Sequence, residues 1–393
     1  MKIAELSTRF PPAPGGVERH VGALARELGA RGHRVRVLTS DLETEFPWRR
    51  FPPTVPRVEA TAFGGIERLS VWSLPGELHY PFFRGLGAAL ARERPDVVHV
   101  HTFGTHQVTV ARRHHRRYGT PYVLTAHFHP ITSIYGGWTR HRLRGFYDRF
   151  LARGAVRHAA RIVVQTREEE RLLRSVVPEL PPVVRIPPGP TEAEPLPAGA
   201  PSFATRFGVS GPFVLFVGRL APNKGLSVLA DAFAALRAAA PDAELVVIGG
   251  DGGAGSAFER RLTERGVRSA AHLLGHIPDD RYVAAAEREA RILVLPSEYE
   301  AFGLVLLDAL AHGTPVVASR VGGIPELVED GRAGLLVPPN DAAALADALK
   351  RLWPDEERRR AFGRYGQMVV APRYSWAKLA ERLDAVFSEV VGR

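Results

Sequence analysis

Glu300 and Asp308, eight residues apart, flank the point where a buried-strand run, Ile292 to Pro296, gives way to an apolar helix ending near His312-Gly313. Free N–H groups and the dipole at a helix start attract anions, phosphate above all. Ala301, Phe302, Gly303 and Leu304 lie at that start. Counted from Glu300 in the turn, Asp308 falls about two turns on at 3.6 residues per turn, which returns it to roughly the same face. Two acceptors of hydroxyl hydrogen bonds thus bracket a phosphate site, the layout of a sugar nucleotide. A surface turn with a solvated Asp would carry the same letters, because short acidic patterns recur by chance.

Cations stand at a second strand-to-helix loop. The run Phe213 to Leu220 reads as a buried strand ending in Gly218, and Arg219 and Lys224 follow it five residues apart, close enough to lean over one site. Alone, such a basic pair is more often solvated. In the first half, Gly15-Gly16 after the opening strand lets backbone approach a ligand, although a plain tight turn has the same composition. The strand runs Asp96–His101 and Tyr122–His127 both end in His, at the carboxyl ends where ligands of open α/β sheets sit. For His101 a hydrogen-bonded surface histidine is the plainer expectation.

The elements around these residues alternate. Ile3 to Leu6, a glycine turn, a helix from about Val17 to Arg31 with Val21, Leu24, Ala25 and Leu28 at helical spacing, and the strand Val35 to Thr39 make a βαβ unit. Residues 41–57 read as irregular, rich in Pro and aromatics. Strands alternate with helices again through Glu244–Gly250, Ala271–Ile277 and Arg291–Pro296, and a helix with Trp376, Leu379, Leu383, Val386 and Phe387 closes the chain. The Pro/Ala/Gly/Glu stretch ending at Pro201 marks a boundary between two α/β halves. The expected domains are 1–187 and 188–371, with 372–393 returning to the first.

With 393 residues the chain can bury two cores. Its lack of Cys excludes disulfides, thiolate metal sites and a cysteine nucleophile. The opening Lys2 to Leu6 has no leader pattern, and no apolar run reaches the ~18 residues that span a bilayer, so a cytoplasmic location is expected. Charge is lopsided. Residues 1–187 hold 29 Lys+Arg against 16 Asp+Glu, a net of +13, while the remaining 23 basic and 26 acidic residues net −3. An anionic partner for the first half follows. Two basic runs, Arg112 to Arg117 and Trp138 to Arg157, are interleaved with His or aromatic residues. Solvated helix faces explain them most simply, but the pattern suits anionic headgroups, which would place the protein peripherally at the inner membrane face. No nucleic-acid-binding motif occurs.

The run Ser297 to Asp308 resembles the Glu-x7-Glu signature of retaining glycosyltransferase family 4 (glycosyl transferases group 1). The continuations Gly313 to Ser319, Gly322 to Glu326 and Gly334 to Val337 stay in register with it, as do Pro14 to Glu18, Thr125 to His127 and Gly218 to Gly225. Asp308 departs from the pattern, which has Glu there. The resemblance implies the GT-B fold, α/β with two Rossmann-like doubly wound domains facing a cleft and a C-terminal helix crossing back. It also implies transfer of a hexose from a nucleoside-diphosphate sugar, GDP-mannose or a UDP-hexose, with retention at the anomeric carbon. The acceptor would be a sugar, a polyol or a lipid-linked, membrane-presented molecule. By the same resemblance, Arg219, Lys224 and the N–H groups of Phe302-Gly303-Leu304 hold the diphosphate, Gly15, Gly16 and Gly218 line it, and Glu300 orients the hexose. Asp308 takes the ribose, His127 the far side of the sugar, and the backbone of His276-Ile277 meets the base. No Asp-x-Asp motif is present, and with these cations no divalent metal or other cofactor is expected. A non-catalytic sugar-nucleotide-binding subunit, or an epimerase or phosphorylase of the same fold, stays open as an alternative.

Overall fold

Strands that are apolar on both faces need cover on two sides, and parallel sheets provide it. In the computed structural model, which describes residues 1–45, 48–73, 81–128 and 153–392, such strands form two sheets in two compact units. One unit is Met1–Pro188 with Trp376–Arg393, and the other is Gly189–Ser375.

The first sheet has eight strands in the spatial order Val183–Arg185, Arg161–Val164, Tyr122–Thr125, Val97–His101, Lys2–Leu6, Arg34–Ser40, Gly64–Leu69, Val58–Thr61. Only the last pairs antiparallel to its neighbour. Alternate residues feed separate cores on its two faces: Leu6, Val98, Val100 and Leu124 in one, Ile3, Val35, Val97 and Val123 in the other. The second sheet has six parallel strands, ordered Ala271–Gly275, Glu244–Ile248, Phe213–Val217, Ile292–Leu295, Val316–Ser319, Gly334–Val337. In each sheet the unit's first strand lies centrally and the chain later crosses to its other side. The switch falls between Lys2–Leu6 and Val97–His101 in one sheet, and between Phe213–Val217 and Ile292–Leu295 in the other. The carboxyl ends beside such a switch are where open α/β sheets bind ligands.

The last helix, Trp376–Val391, belongs to the first unit and buries Trp376, Leu379, Leu383, Val386 and Phe387. His33 Nε2 lies 2.9 Å from Asp384, and Arg161 pairs with Glu389. The return begins at Trp376 rather than at 372, because Tyr374 packs its ring edge-on to Phe302 at 5.5 Å and so stays with the second unit. Two other expectations are corrected. Residues 41–57 are not wholly irregular, since Leu42–Glu45 and Trp48–Arg50 pair as an antiparallel ribbon. The helix after Glu300 spans only Leu304–Ala311, so Glu300 precedes it and Asp308 sits little more than one turn in. The shared-face argument therefore fails, because a left-handed Gly303 (φ 89°) ends the turn before the helix starts. Among the described residues no helix is long and apolar enough to cross a membrane. Most of the expected basic–aromatic run 138–157 lies outside the described residues, while Arg113, Arg116 and Arg117 of the other run are exposed on the helix His106–Tyr118.

Candidate functional site

Second-unit chemistry gathers on three loops at neighbouring strand ends. The loop after Phe213–Val217 carries Lys224, the turn after Ile292–Leu295 carries Ser297 and Glu300, and the loop after Val316–Ser319 carries Gly322 and Gly323. Lys224 Nζ forms a short ion pair with Glu300 Oε1, which also accepts a 2.9 Å hydrogen bond from Ser297 Oγ. The pair is partly open, with side-chain exposures of 21% and 14%. Backbone pins the turn from both sides. Glu298 N donates to Asn223 O at 2.9 Å, and Gly323 N to Glu300 O at 3.1 Å. Two glycines make this closeness feasible. At Gly225 (φ 64°) a Cβ would lie 1.9 Å from Pro296 O, and at Gly322 (φ 52°) it would lie 1.8 Å from Glu300 O. Both combine a left-handed backbone with no room for a side chain.

Around this cluster the remaining candidates take distinct places. Gly218 N donates to Ile248 O at 2.9 Å, and Arg219 beside it is exposed. Phe302 is buried and, with Ala301 and Gly303, leads into the helix that Leu304 begins. Asp308 is buried and accepts a 2.6 Å hydrogen bond from the backbone N–H of Thr191, just past the crossing between units. That contact was not legible in the sequence, since 117 residues separate the partners. His276 is exposed and Ile277 buried, immediately after the strand Ala271–Gly275.

The first unit's switch point is a cluster of imidazoles. Glu5, wholly buried mid-strand, lies 3.1 Å (Oε1) from His99 Nδ1 and 2.8 Å (Oε2) from His101 Nε2. His99 Nε2 lies 2.7 Å from Thr125 Oγ1. His101 Nδ1 lies 3.2 Å from His127 Nε2, and His127 Nδ1 lies 3.0 Å from Gln165 Nε2. His127, two residues past its strand, has a left-handed backbone with φ 42°. The His20 ring stands edge-on to His127 (5.3 Å) and to Trp376 of the last helix (5.4 Å). His101 is therefore no surface histidine: its exposure is 0%. Gly15 and Gly16 start the helix Gly16–Ala30, whose buried Glu18 pairs with Arg9 at 2.6 Å.

Burial works to raise the Glu5 carboxyl, but His99 and His101 beside it outweigh that and bring it down to about 2. Burial, reinforced by neighbouring imidazoles, lowers His20 to about 3 and His101 to about 4, and pushes His127 well down as well. Burial thus holds His20, His101 and His127 against protonation beside the buried Glu5 carboxylate. Burial raises Glu169 to about 7 against the opposing pull of two backbone donors, Gln165 N (2.5 Å) and Phe128 N (2.6 Å). Glu169 thus ties down the backbone beside both Gln165 and His127. Among the described residues, two groups bring candidate metal-ligand atoms within 4.8 Å of one another: His20, His101 and His127, and Glu5, His99 and His101. Of this cluster the sequence placed His101 and His127 at strand ends and gave a functional role to His127 alone. A carboxylate inside the apolar strand Lys2–Leu6 was the available signal, because a buried charge needs partners.

Comparison with known proteins bears on both units. Residues 15–189 match the model of the glycosyl transferase 4-like domain and residues 202–369 that of glycosyl transferases group 1. The D-inositol 3-phosphate glycosyltransferase of Acidothermus cellulolyticus is 32% identical over 400 residues, covering 96% of this chain and 86% of the relative. The phosphatidyl-myo-inositol mannosyltransferase of Mycobacterium leprae is 31% identical over 409 residues, covering 99% and 97%. Among solved structures, sucrose-phosphate synthase from Thermosynechococcus elongatus superposes with a TM-score of 0.79 at 26% identity, covering 100% and 99%. Anabaena HepE in complex with UDP and glucose, at 20% identity, shares the fold with a TM-score of 0.75 over 99% and 100%. With its two parallel-sheet units and returning C-terminal helix, the chain belongs to glycosyltransferase family 4, the glycosyl transferases group 1 of GT-B fold.

Proposed function

We propose that this glycosyltransferase moves a hexose from a nucleoside-diphosphate sugar to an acceptor hydroxyl with retention at the anomeric carbon and without a divalent metal. The observation that carries the reading is the Lys224–Glu300–Ser297 cluster at the second sheet's switch point, beside the start of the helix Leu304–Ala311. A departing diphosphate builds negative charge, and preorganised donors stabilise it most. Lys224, the exposed Arg219 and the N–H groups at Gly303-Leu304 supply such donors, with Gly218, Gly15 and Gly16 leaving room for the phosphates. Held by Lys224 and Ser297, Glu300 keeps a carboxylate oriented for hexose hydroxyls. Asp308 serves the ribose, the backbone at His276-Ile277 the base, and His127 the sugar's far side.

For the acceptor, the relatives named for D-inositol 3-phosphate and phosphatidyl-myo-inositol support a polyol or polyol phosphate, free or lipid-borne. The net charge of +13 over residues 1–187 supports an anionic acceptor or membrane surface. Incubation with a panel of nucleotide sugars and polyol phosphates, scored for free diphosphate and for the anomer formed by NMR, tests the reading. An inverted product, or full activity lost only to a chelator, overturns the mechanism. Diphosphate release without transfer, or binding without either, favours the non-catalytic or other GT-B alternatives. Equal partitioning to anionic and neutral vesicles removes the membrane surface.

A further inference from the structure

We propose that Glu5 is a positioning residue for sugar transfer: through His101 it dictates which nitrogen of His127 carries the proton and so locks that residue in place. The inference rests on the reading above that His127 lies at the sugar end of the donor. It follows from hydrogen-bond accounting along one continuous chain. A carboxylate only accepts, so His99 donates to Glu5 from Nδ1 and His101 donates from Nε2. His101 is held against protonation by its burial, so its other nitrogen must then accept. His99 Nε2 faces the Thr125 hydroxyl, which can donate or accept. His101 Nδ1 accepts from the group 3.2 Å away, His127 Nε2–H. His127 Nδ1, left with a lone pair, accepts from the Gln165 amide. One buried anion therefore sets two successive tautomers, and every bond runs in one direction.

The consequence falls on the His127 backbone. A non-glycine residue in the left-handed region is held only where its surroundings over-determine it. Here the ring is tied at both nitrogens, His20 packs against its side, and Glu169 fixes the N–H of the next residue, Phe128. With both nitrogens committed, His127 acts at the sugar as a fixed neutral group and not as an acid or base. Its placement depends on a residue at the centre of the sheet that touches no substrate.

Glu5→Gln tests this, because an amide donates where the carboxylate accepted. The amide keeps one oxygen for two imidazoles; with Thr125→Val added, His99 loses the hydroxyl it could donate to and keeps its proton on Nδ1, so the NH2 faces His101, which then accepts at Nε2, donates from Nδ1 and reverses His127 in turn. Long-range 15N–1H spectra of histidine-labelled protein read the tautomer without any activity. Wild type is expected to show Nε2–H at His127 and Glu5→Gln/Thr125→Val to show Nδ1–H. In Glu5→Gln/Thr125→Val, kcat should fall at least about tenfold, as for a misplaced reacting group, with nucleoside diphosphate affinity unchanged because the charged donors assigned to the diphosphate, Lys224 and Arg219, lie in the other unit. If that variant does not fold, Gln165→Met serves: Nε2–H kept at His127 supports setting from the Glu5 end, and its reversal overturns it. Nδ1–H in wild type, a reversed tautomer with unchanged kcat, or stoichiometric zinc removing the Nε2–H signal each overturn the proposal, the last by making the pair metal ligands. Failure of the functional reading itself shows separately, as wild-type protein that releases no diphosphate from any nucleotide sugar.

Discussion

At the first sheet's switch point the polar groups sit on or just beyond the strands: Glu5, His99 and His101 within them, and His127 and Gln165 a residue or two after. Glu5, His99 and His101 are buried, His127 and Gln165 half-buried, and all are linked side chain to side chain around one carboxylate. At the second sheet's switch point the strands are wholly apolar, and the chemistry stands on loops. Lys224 and Glu300 form a partly open ion pair, held by backbone that folds back on itself at Gly225 and Gly322. The contrast follows from electrostatics. A diphosphate carries charge into its site, so its receptor needs charged donors close to water, where ionisation costs little. A buried network gains nothing from charge and serves by fixing geometry, because each unpaired polar group there would cost free energy.

The largest expected effect breaks the charged region. Lys224→Ala and Arg219→Ala should each lose about 3–4 kcal/mol of transition-state stabilisation, the loss seen when one such donor is removed. Steady-state turnover within tenfold of wild type would take both residues out of the mechanism. For Lys224→Ala part of the loss is the Glu300 carboxylate left without its cation, so Lys224→Ala/Glu300→Gln should be less than additive.

Next in size is the backbone that holds that region. Gly322→Ala drives a Cβ into Glu300 O and keeps an unfavourable φ, which should cost on the order of 2–3 kcal/mol. Urea unfolding of the second unit measures it. A variant as stable as wild type would show that the turn is not clamped as described.

The neutral region should answer to acid. His20, His101 and His127 refuse protons that the unfolded chain binds below pH 6.5, so their contribution to stability falls as the pH drops from 6.5 towards 4. Glu169 works the opposite way between about 7 and 4.5, since the folded protein holds a proton the unfolded chain has lost. His20→Phe removes one refused proton. Between pH 6 and 5 its stability should decline less steeply than that of wild type, by about 1.4 kcal/mol per pH unit. Parallel stability–pH curves from chemical denaturation would mean that His20 is not held neutral.

The smallest effect separates binding from chemistry within the charged region. Asp308→Asn should weaken nucleoside diphosphate binding about tenfold with kcat nearly kept, because ribose contacts change little on the way to the transition state. Glu300→Gln should instead depress kcat. Calorimetric titration with the free diphosphate decides it. Unchanged affinity in Asp308→Asn would take its carboxylate out of nucleotide binding and leave it a structural role, such as capturing the Thr191 N–H at the crossing.

The sequence by itself determined the element order, the family and the loops that carry Lys224, Glu300 and Asp308. Apolar periodicity and glycine-punctuated strand ends are local properties, readable over a few residues. It also marked the closing helix through Trp376, Leu379, Leu383 and Phe387. Only the tertiary structure decided which polar groups meet. Glu5 lies 94 residues from His99, Lys224 lies 76 from Glu300, and Asp308 lies 117 from Thr191. The first two close because parallel strands stand side by side regardless of chain distance, and the third because the linker past the crossing meets the helix Leu304–Ala311; no local pattern encodes either. For the same reason the sequence suggested a surface role for His101, which is buried among Glu5, His99, His127 and His20, residues that lie far apart along the chain.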